Sequence, residues 1–306
     1  MIVYEIYKHY ENFKRPIVSP RTFNSNKSNY YTHIHQVFGD KEFFQLKYID
    51  YQNFVNNLLS NGLKPKTIKN ILIVLQGLYK VAKINDWYTG ENYLSFVELP
   101  RFDNRRYFTL DVSIQKAYIK AILDFKEFIY KDIFVFLLHG RRLNEVLGLK
   151  WEQIDLTSEI MYLPYMQNKS RKNLSFKLTD IQLKILRLHY AIAYDRQSTP
   201  FVSGYVFVNP QTMTRFNNVK RPWFRLLDGA GLPRMRIHDV RHLVATYLIN
   251  NLKISIEIVS HLLGHSDIKI TQRYINPEPA NAKNAMDKLL GSVDIFNNLA
   301  LGNLPK

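Results

Sequence analysis

Between Ile68 and Ala82 the apolar residues keep helical time. In "LKPKTIKNILIVLQGLYKVAKINDW", Ile68, Ile71, Leu72, Leu75, Leu78 and Ala82 recur at three- and four-residue steps, which lays one buried stripe along a helix. A stripe of that length needs other helices to cover it. Thr67, just after Pro65, reads as the start signal. Lys66, Lys69, Lys80 and Lys83 fall largely off the stripe, where they face solvent or phosphates. Upstream, "YIDYQNFVNNLLSNG" gives another helix closed by Gly62, and about four helices are expected by residue 96. Residues 1–97 are therefore read as a helical domain.

The pattern changes after residue 97. "ELPRFDNRRYFTLD" combines a proline with dense charge, so residues 98–108 read as a basic linker containing Arg105 and Arg106. Thr109 is read as the cap of a helix over "LDVSIQKAYIKAILDF". "KDIFVFLLHG" and "RLNEVLGLKW" also read as helical. "EIMYLPYMQNKSRKNLSFKLT" instead has two β-prone arms around a polar, basic turn, the pattern of a hairpin. Helical periodicity then returns through residue 290. The expected class is mainly α (α+β), with a helical N-terminal domain and a mixed domain at 109–284 holding a small β-sheet. The last segment, 285–306, is sparse in charge and carries Leu289, Leu290, Val293, Phe296 and Leu299. It is read as a tail packed on its own domain or on a partner.

Composition narrows the function classes. The net charge of +16 favours a polyanionic partner, since Lys and Arg that replace condensed counterions gain salt-dependent affinity. The absence of cysteine excludes thiol catalysis, disulfides and thiolate zinc sites, and fits a reducing cytoplasm. No run of about 18 apolar residues suggests a membrane helix. "MIVYEIYKHYENFKRP" does not read as a signal peptide.

Five short stretches stand out. "HGRRLNEVLGLKW" places Arg141 and Arg142 after Gly140, with Glu145 three residues past Arg142. The hairpin turn supplies Lys169, Arg171 and Lys172. "RIHDVRHLVATYL" puts His238 and Arg241 at i and i+3, on one helix face. "LLGHSD" and "QRYIN" supply His265 and, nine residues later, Tyr274. Taken singly, each has a plain structural reading: a surface ion pair, a solvated lysine, a hydrogen-bonded histidine, a core tyrosine.

Taken in order, "GRRLNE", "NKS", "HDVRH", "LLGH" and "RYIN" resemble the tyrosine recombinase (phage integrase) family, over nearly the whole chain. The N-terminal helices look like that family's core-site DNA-binding (SAM-like) domain. The resemblance implies a site-specific DNA strand transferase of the simple two-domain type, resembling Xer and Cre proteins. Such an enzyme works through a 3′-phosphotyrosyl link without metal or nucleotide cofactor. Its expected partners are double-stranded DNA with a short inverted-repeat core site and a homo-tetramer assembled on two sites, with the C-terminal tail docked on a neighbouring subunit. Arg142 and Arg241 would clamp the scissile phosphate, because guanidinium matches its oxygens bidentately. Tyr274 would attack phosphorus and Lys169 would protonate the leaving oxygen. His238 would handle the tyrosine proton and His265 would bond the phosphate. Glu145 would orient the arginine helix rather than touch substrate. Lys66, Lys69, Arg105, Arg106, Arg171 and Lys172 are the expected DNA contacts.

Some positions depart from the family pattern. Arg141 stands where an apolar residue is usual, His139 where a small hydroxyl residue is common, and Ile-Asn follows Tyr274. Lys172 rivals Lys169 as the acid; Lys169, 27 residues after Arg142 and early in the turn, is preferred. Gly264 is expected to end one helix, with Ser266 or Asp267 capping a short movable helix that carries Tyr274 near its end. Two other readings compete. His238 and His242 with Asp239 sit near a zinc-hydrolase spacing, and a decayed, purely DNA-binding member is the third.

Overall fold

A computed structural model describes residues 1–100, 110–168, 172–197 and 202–275. The chain divides into two compact units, Met1–Asn104 and Arg105–Lys306.

The first unit is helical. α1 (Val3–Lys14), α2 (Pro20–Asn29), α3 (His35–Phe38), α4 (Tyr48–Ser60) and α5 (Pro65–Ile84) follow in order. A wide-turn segment, Tyr30–Ile34, joins α2 to α3 without a break. The whole expected stripe of α5 is buried, together with Val74, Tyr79 and Val81. α5 is thus central rather than one-sided, and α1 and α4 both pack on it. Its start differs from expectation. Pro65 occupies the first helical position and Lys64 the cap, so Thr67 is the third helical residue rather than the start. Proline suits that position because its missing N–H would be unbonded there anyway. Gly62 closes α4 as expected: at φ 79° it lets the amides of Gly62 and Leu63 return to the carbonyls of Leu59 and Leu58. Much of the aromatic content is spent in this core. Tyr7 stacks on Tyr30 at 3.4 Å, and the Tyr51 hydroxyl bonds that of Tyr79 at 3.2 Å. Gln52 of α4 bonds the backbone of Glu98 and Leu99 packs on the same core, so the first unit continues past residue 97.

The second unit starts with α6 (Val112–Asp124), capped at Asp111; the expected cap Thr109 lies outside the described residues. α7 (Phe128–Leu138) is the central helix, with Ile133 to Leu137 all buried. α8 (Leu143–Leu147) is one short turn ended by Gly148. The helix expected across "RLNEVLGLKW" therefore stops early, and a separate turn covers Trp151–Gln153. A three-stranded antiparallel sheet comes next: β1 (Ile154–Asp155), β2 (Ile160–Leu163) and β3 (Leu174–Lys177), in the order β1-β2-β3. β2 and β3 form the expected hairpin, pairing Ile160 with Lys177 and Leu163 with Leu174. Met161 and Leu163 point into the core while Tyr162 faces out, the alternation a half-buried strand requires.

α9 (Asp180–Gln197), α10 (Lys220–Gly229), α11 (Asp239–Thr246) and α12 (Ile256–Leu263) complete the described elements. The helical pattern is not continuous after the hairpin, because residues 202–219 form no helix and make only isolated bridges, Lys150 to Tyr205 and Val208 to Arg215. A buried His189–Asp132 pair at 2.8 Å ties α9 to α7. The Trp223 indole donates to the carbonyl of Met235 at 2.6 Å, which holds α10 against the approach to α11. The tail 285–306 lies outside the described residues.

Candidate active site

Two left-handed glycines build the site. Gly140, at φ 75°, turns the chain from α7 into α8. A Cβ there would meet Leu263 Cδ2 at 2.7 Å and Leu262 Cδ2 at 3.0 Å, so only glycine lets the end of α12 press against this turn. Gly264, at φ 65°, caps α12 as expected. A Cβ there would meet Leu174 Cδ1 at 2.8 Å and Phe176 Cζ at 3.2 Å. The arginine turn, the end of α12 and the hairpin are thereby brought to near-contact.

Arg142 caps the N-terminus of α8. Glu145, 3% exposed, uses both oxygens on it: one accepts from the Arg142 backbone amide at 2.9 Å and the other pairs with Nη1 at 2.7 Å. The carboxylate thus fixes both the backbone and the fork of Arg142. From α11, Arg241 reaches the same turn and donates Nη1 to the Gly140 carbonyl at 2.5 Å. Its Nη2 is buried without a hydrogen-bond partner. Burial first, then the neighbouring Arg142, pushes the Arg241 pKa down to about 10. The group stays charged at neutral pH.

His265 comes directly after Gly264 and bonds Thr271 Oγ1 through Nδ1 at 2.7 Å. Burial and then Arg241, Arg142, Arg273 and Arg141 push its pKa down to about 3. The imidazole is neutral at physiological pH, with Nε2 left for another partner. Asp267, not Ser266, caps the segment leading to Tyr274, accepting from the Lys269 amide at 2.9 Å. The expected short helix is a pair of tight 3₁₀ turns, Ile268–Ile270 and Gln272–Tyr274, and Tyr274 closes the second.

Tyr274 is 8% exposed. Its ring stands edge-on to His242 at 5.2 Å and nearly parallel to His265 at 6.3 Å. Asn250 holds its carbonyl at 2.8 Å, and its hydroxyl lies against the Arg241 guanidinium. Burial raises the phenol pKa, while Arg241, Arg273 and Arg142 all pull it down. Burial prevails, so the phenol pKa is raised and the group stays protonated, but the surrounding cations offset part of that cost.

The remaining expected residues are less gathered. His238 is exposed at the N-cap of α11, one step ahead of the helix that carries Arg241, rather than within it. Lys172 is exposed, and its carbonyl accepts from Asn168 at 2.8 Å. Lys169, Arg171, Arg105 and Arg106 lie outside the described residues. Lys66 and Lys69 are exposed on α5 in the first unit. His139 is tied to the Val135 carbonyl and to Thr179, each at 2.8 Å. Asp239, the acid of the zinc-like spacing, is gripped by Arg236 at 2.9 and 2.6 Å, which turns it toward a cation already in place. Thr271, Asn250 and the ring of His242 join the site without belonging to the expected set. His242 is the residue after Arg241 in "HDVRH"; Thr271 and Asn250 carry no sequence signal.

Comparison with known proteins identifies the family and the fold. Residues 113–281 match the phage integrase family, and residues 3–59 match the phage integrase N-terminal SAM-like domain. A XerC-like tyrosine recombinase of Caldanaerobacter subterraneus subsp. tengcongensis is 24% identical, the alignment covering 88% of this chain and 78% of that protein. Among solved structures, the Tn1549 transposon integrase bound to transposon right-end DNA has a TM-score of 0.71 at 18% identity, covering 95% of this chain and 100% of that one. A lambda integrase tetramer bound to a Holliday junction has a TM-score of 0.68 at 16% identity, covering 90% of this chain and 78% of that one. Such low identities carry the fold alone, but the family match spans more than half the chain and contains every residue of the described site. The chain belongs to the phage integrase family of tyrosine recombinases, enzymes of site-specific DNA recombination.

Proposed function

We propose that the described site cuts and rejoins DNA strands with Tyr274 as nucleophile. The Tyr274 oxygen attacks the scissile phosphorus, the bond from phosphorus to the 5′ oxygen breaks, and a 3′-phosphotyrosyl link forms. Arg142 and Arg241 grip the non-bridging oxygens, on which charge grows in the transition state. His265 donates from Nε2 to the phosphate, which requires the Thr271 hydroxyl to donate to Nδ1. Lys169 gives the proton to the departing 5′ oxygen, and His238 takes the tyrosine proton. A second 5′-hydroxyl attacking the phosphotyrosine reverses these steps on a new strand. No external energy source is needed, since one phosphate ester replaces another.

The observation that supports this reading most is the burial of Tyr274 against Arg241, with Arg142 and Arg273 acting on the same phenol. Guanidinium groups supply here the positive charge that a phosphoryl-transfer enzyme needs. Lys66, Lys69, Arg105, Arg106, Arg171 and Lys172 are assigned to the DNA backbone, in keeping with the net charge of +16. The working assembly is a homo-tetramer on two inverted-repeat sites, by analogy with the integrase tetramer on a Holliday junction, and its compartment is the cytoplasm. Trapping on a nicked duplex that carries the cleavage site, mapped in DNA flanking the gene, tests the assignment. The wild-type chain should become covalently attached and Tyr274→Phe should not; attachment by the phenylalanine variant would overturn it.

A further inference from the structure

Arg141 is a costly residue. It is 3% exposed, and it sits beside Arg142 and Arg241, which with burial lower its pKa to about 9. Its Nη1 is buried without a hydrogen-bond partner. Glu145, the acid that favours its charge, spends both oxygens on Arg142. An apolar side chain would fill the same volume without desolvating a cation. The retained guanidinium therefore needs a role that its shape performs.

Its contacts supply one. Nη2 donates to the carbonyl of Leu262, in the last turn of α12, where carbonyls lack partners inside the helix. Nε donates to the carbonyl of His139 at 3.3 Å. The flat face lies 3.6 Å from the centroid of the Phe176 ring on β3, within range for a cation–π contact. Each tethered segment leads to a residue of the proposed chemistry. Arg142 is the next residue, His265 lies three positions past Leu262, and β3 is an arm of the hairpin whose turn contains Lys169. The close approaches at Gly140 and Gly264 bring these segments together, and Arg141 spans their junction.

We infer that Arg141 is a positioning residue that locks the His265 turn and the hairpin to the backbone of Arg142. This rests on the site reading above and adds to it a tether that the catalytic groups themselves do not provide. Lysine cannot replace it, because a point cation has neither the planar face for Phe176 nor the fork for two carbonyls.

The test uses the full chain with Arg141→Leu, Arg141→Lys, Phe176→Leu and the Arg141→Leu/Phe176→Leu double variant. Without DNA, amide exchange at Gly264 and His265 should speed up at least about tenfold in Arg141→Leu while the amides of α7 keep their protection. On the nicked duplex, the single-turnover rate of covalent attachment should fall about 10²-fold, as for a misplaced catalytic group. The Kd for that duplex should stay within about threefold. The loss in the double variant should be less than the two single losses combined. Arg141→Lys should remain folded and recover only a minor part of the rate; it decides the matter if the leucine variant fails to fold. Unchanged exchange at Gly264 and His265, full rate in Arg141→Lys, or a rate loss matched by a loss of affinity would each overturn the inference. Failure of the site reading shows separately, as attachment that survives Tyr274→Phe, and leaves the exchange result unaffected.

Discussion

Tyr51 and Tyr274 are both buried tyrosines, and they show how surroundings divide one residue type between two uses. Tyr51 lies in the core of the first unit. Its hydroxyl bonds that of Tyr79, and burial drives its pKa far up with no cation opposing. Tyr79 is likewise raised, to about 12. Tyr274 is also desolvated, yet Arg241, Arg273 and Arg142 pull against that burial. Low exposure is common to both, so it cannot separate them. The sign and number of the neighbouring charges can.

The contrast can be broken by substitution. Tyr274→Phe should reduce covalent attachment to nicked duplex DNA by about 10⁴-fold or more, the scale on which loss of a nucleophile is felt. Tyr51→Phe should leave the attachment rate unchanged. Equal effects of the two changes would erase the distinction. Arg241→Lys keeps a positive charge near Tyr274 but removes the fork that holds the Gly140 carbonyl. We expect a rate loss of about 10²- to 10³-fold, comparable to deleting a transition-state donor, measured in the same single-turnover assay.

Acid sharpens the comparison. The His265 pKa is pushed down to about 3 in the fold from an unfolded value near 6.5. Between those values the unfolded chain binds the extra proton, so stability is lost as pH falls from about 6.5 towards about 3. Denaturant unfolding from pH 7 to pH 4 should show a shallower loss in His265→Gln than in the wild type. An identical slope would mean that the imidazole is not held neutral. The smallest effect is expected in the first unit, where Tyr51→Phe removes one neutral hydrogen bond worth about 1 kcal/mol. Chemical denaturation of the full chain, monitored by a probe in α5, measures it.

Much of this was legible in the residues. The α5 stripe is buried throughout, the β2–β3 hairpin pairs where its two arms were read, and Gly62 and Gly264 end helices at positive φ. Each is a local pattern, in which periodicity or a single φ requirement is enough. Elsewhere local signals compete, and the fold chooses between them. Thr67 and Pro65 both mark helix starts, and the structure uses Pro65. "RLNEVLGLKW" has good helix formers on either side of Gly148, yet the helix stops there. Residues 202–219 have no strong period, and isolated bridges rather than a helix organise them. Of the five stretches, those holding Arg142, Arg241, His265 and Tyr274 come together in the structure, while Lys169 lies outside the described residues.

The sequence by itself determined the local elements and the order of the chemical groups. Helical period, strand alternation, caps and left-handed glycines all act within a few residues of one another. Only the tertiary structure decided which groups meet. Arg241 grips the carbonyl of Gly140 and Arg141 that of Leu262, across more than a hundred residues each. Asn250 holds Tyr274, and the ring of His242 packs on it. Those contacts set the burial and the charge felt by each titrating group, and both depend on every segment packed around it. A pattern confined to one element cannot encode them.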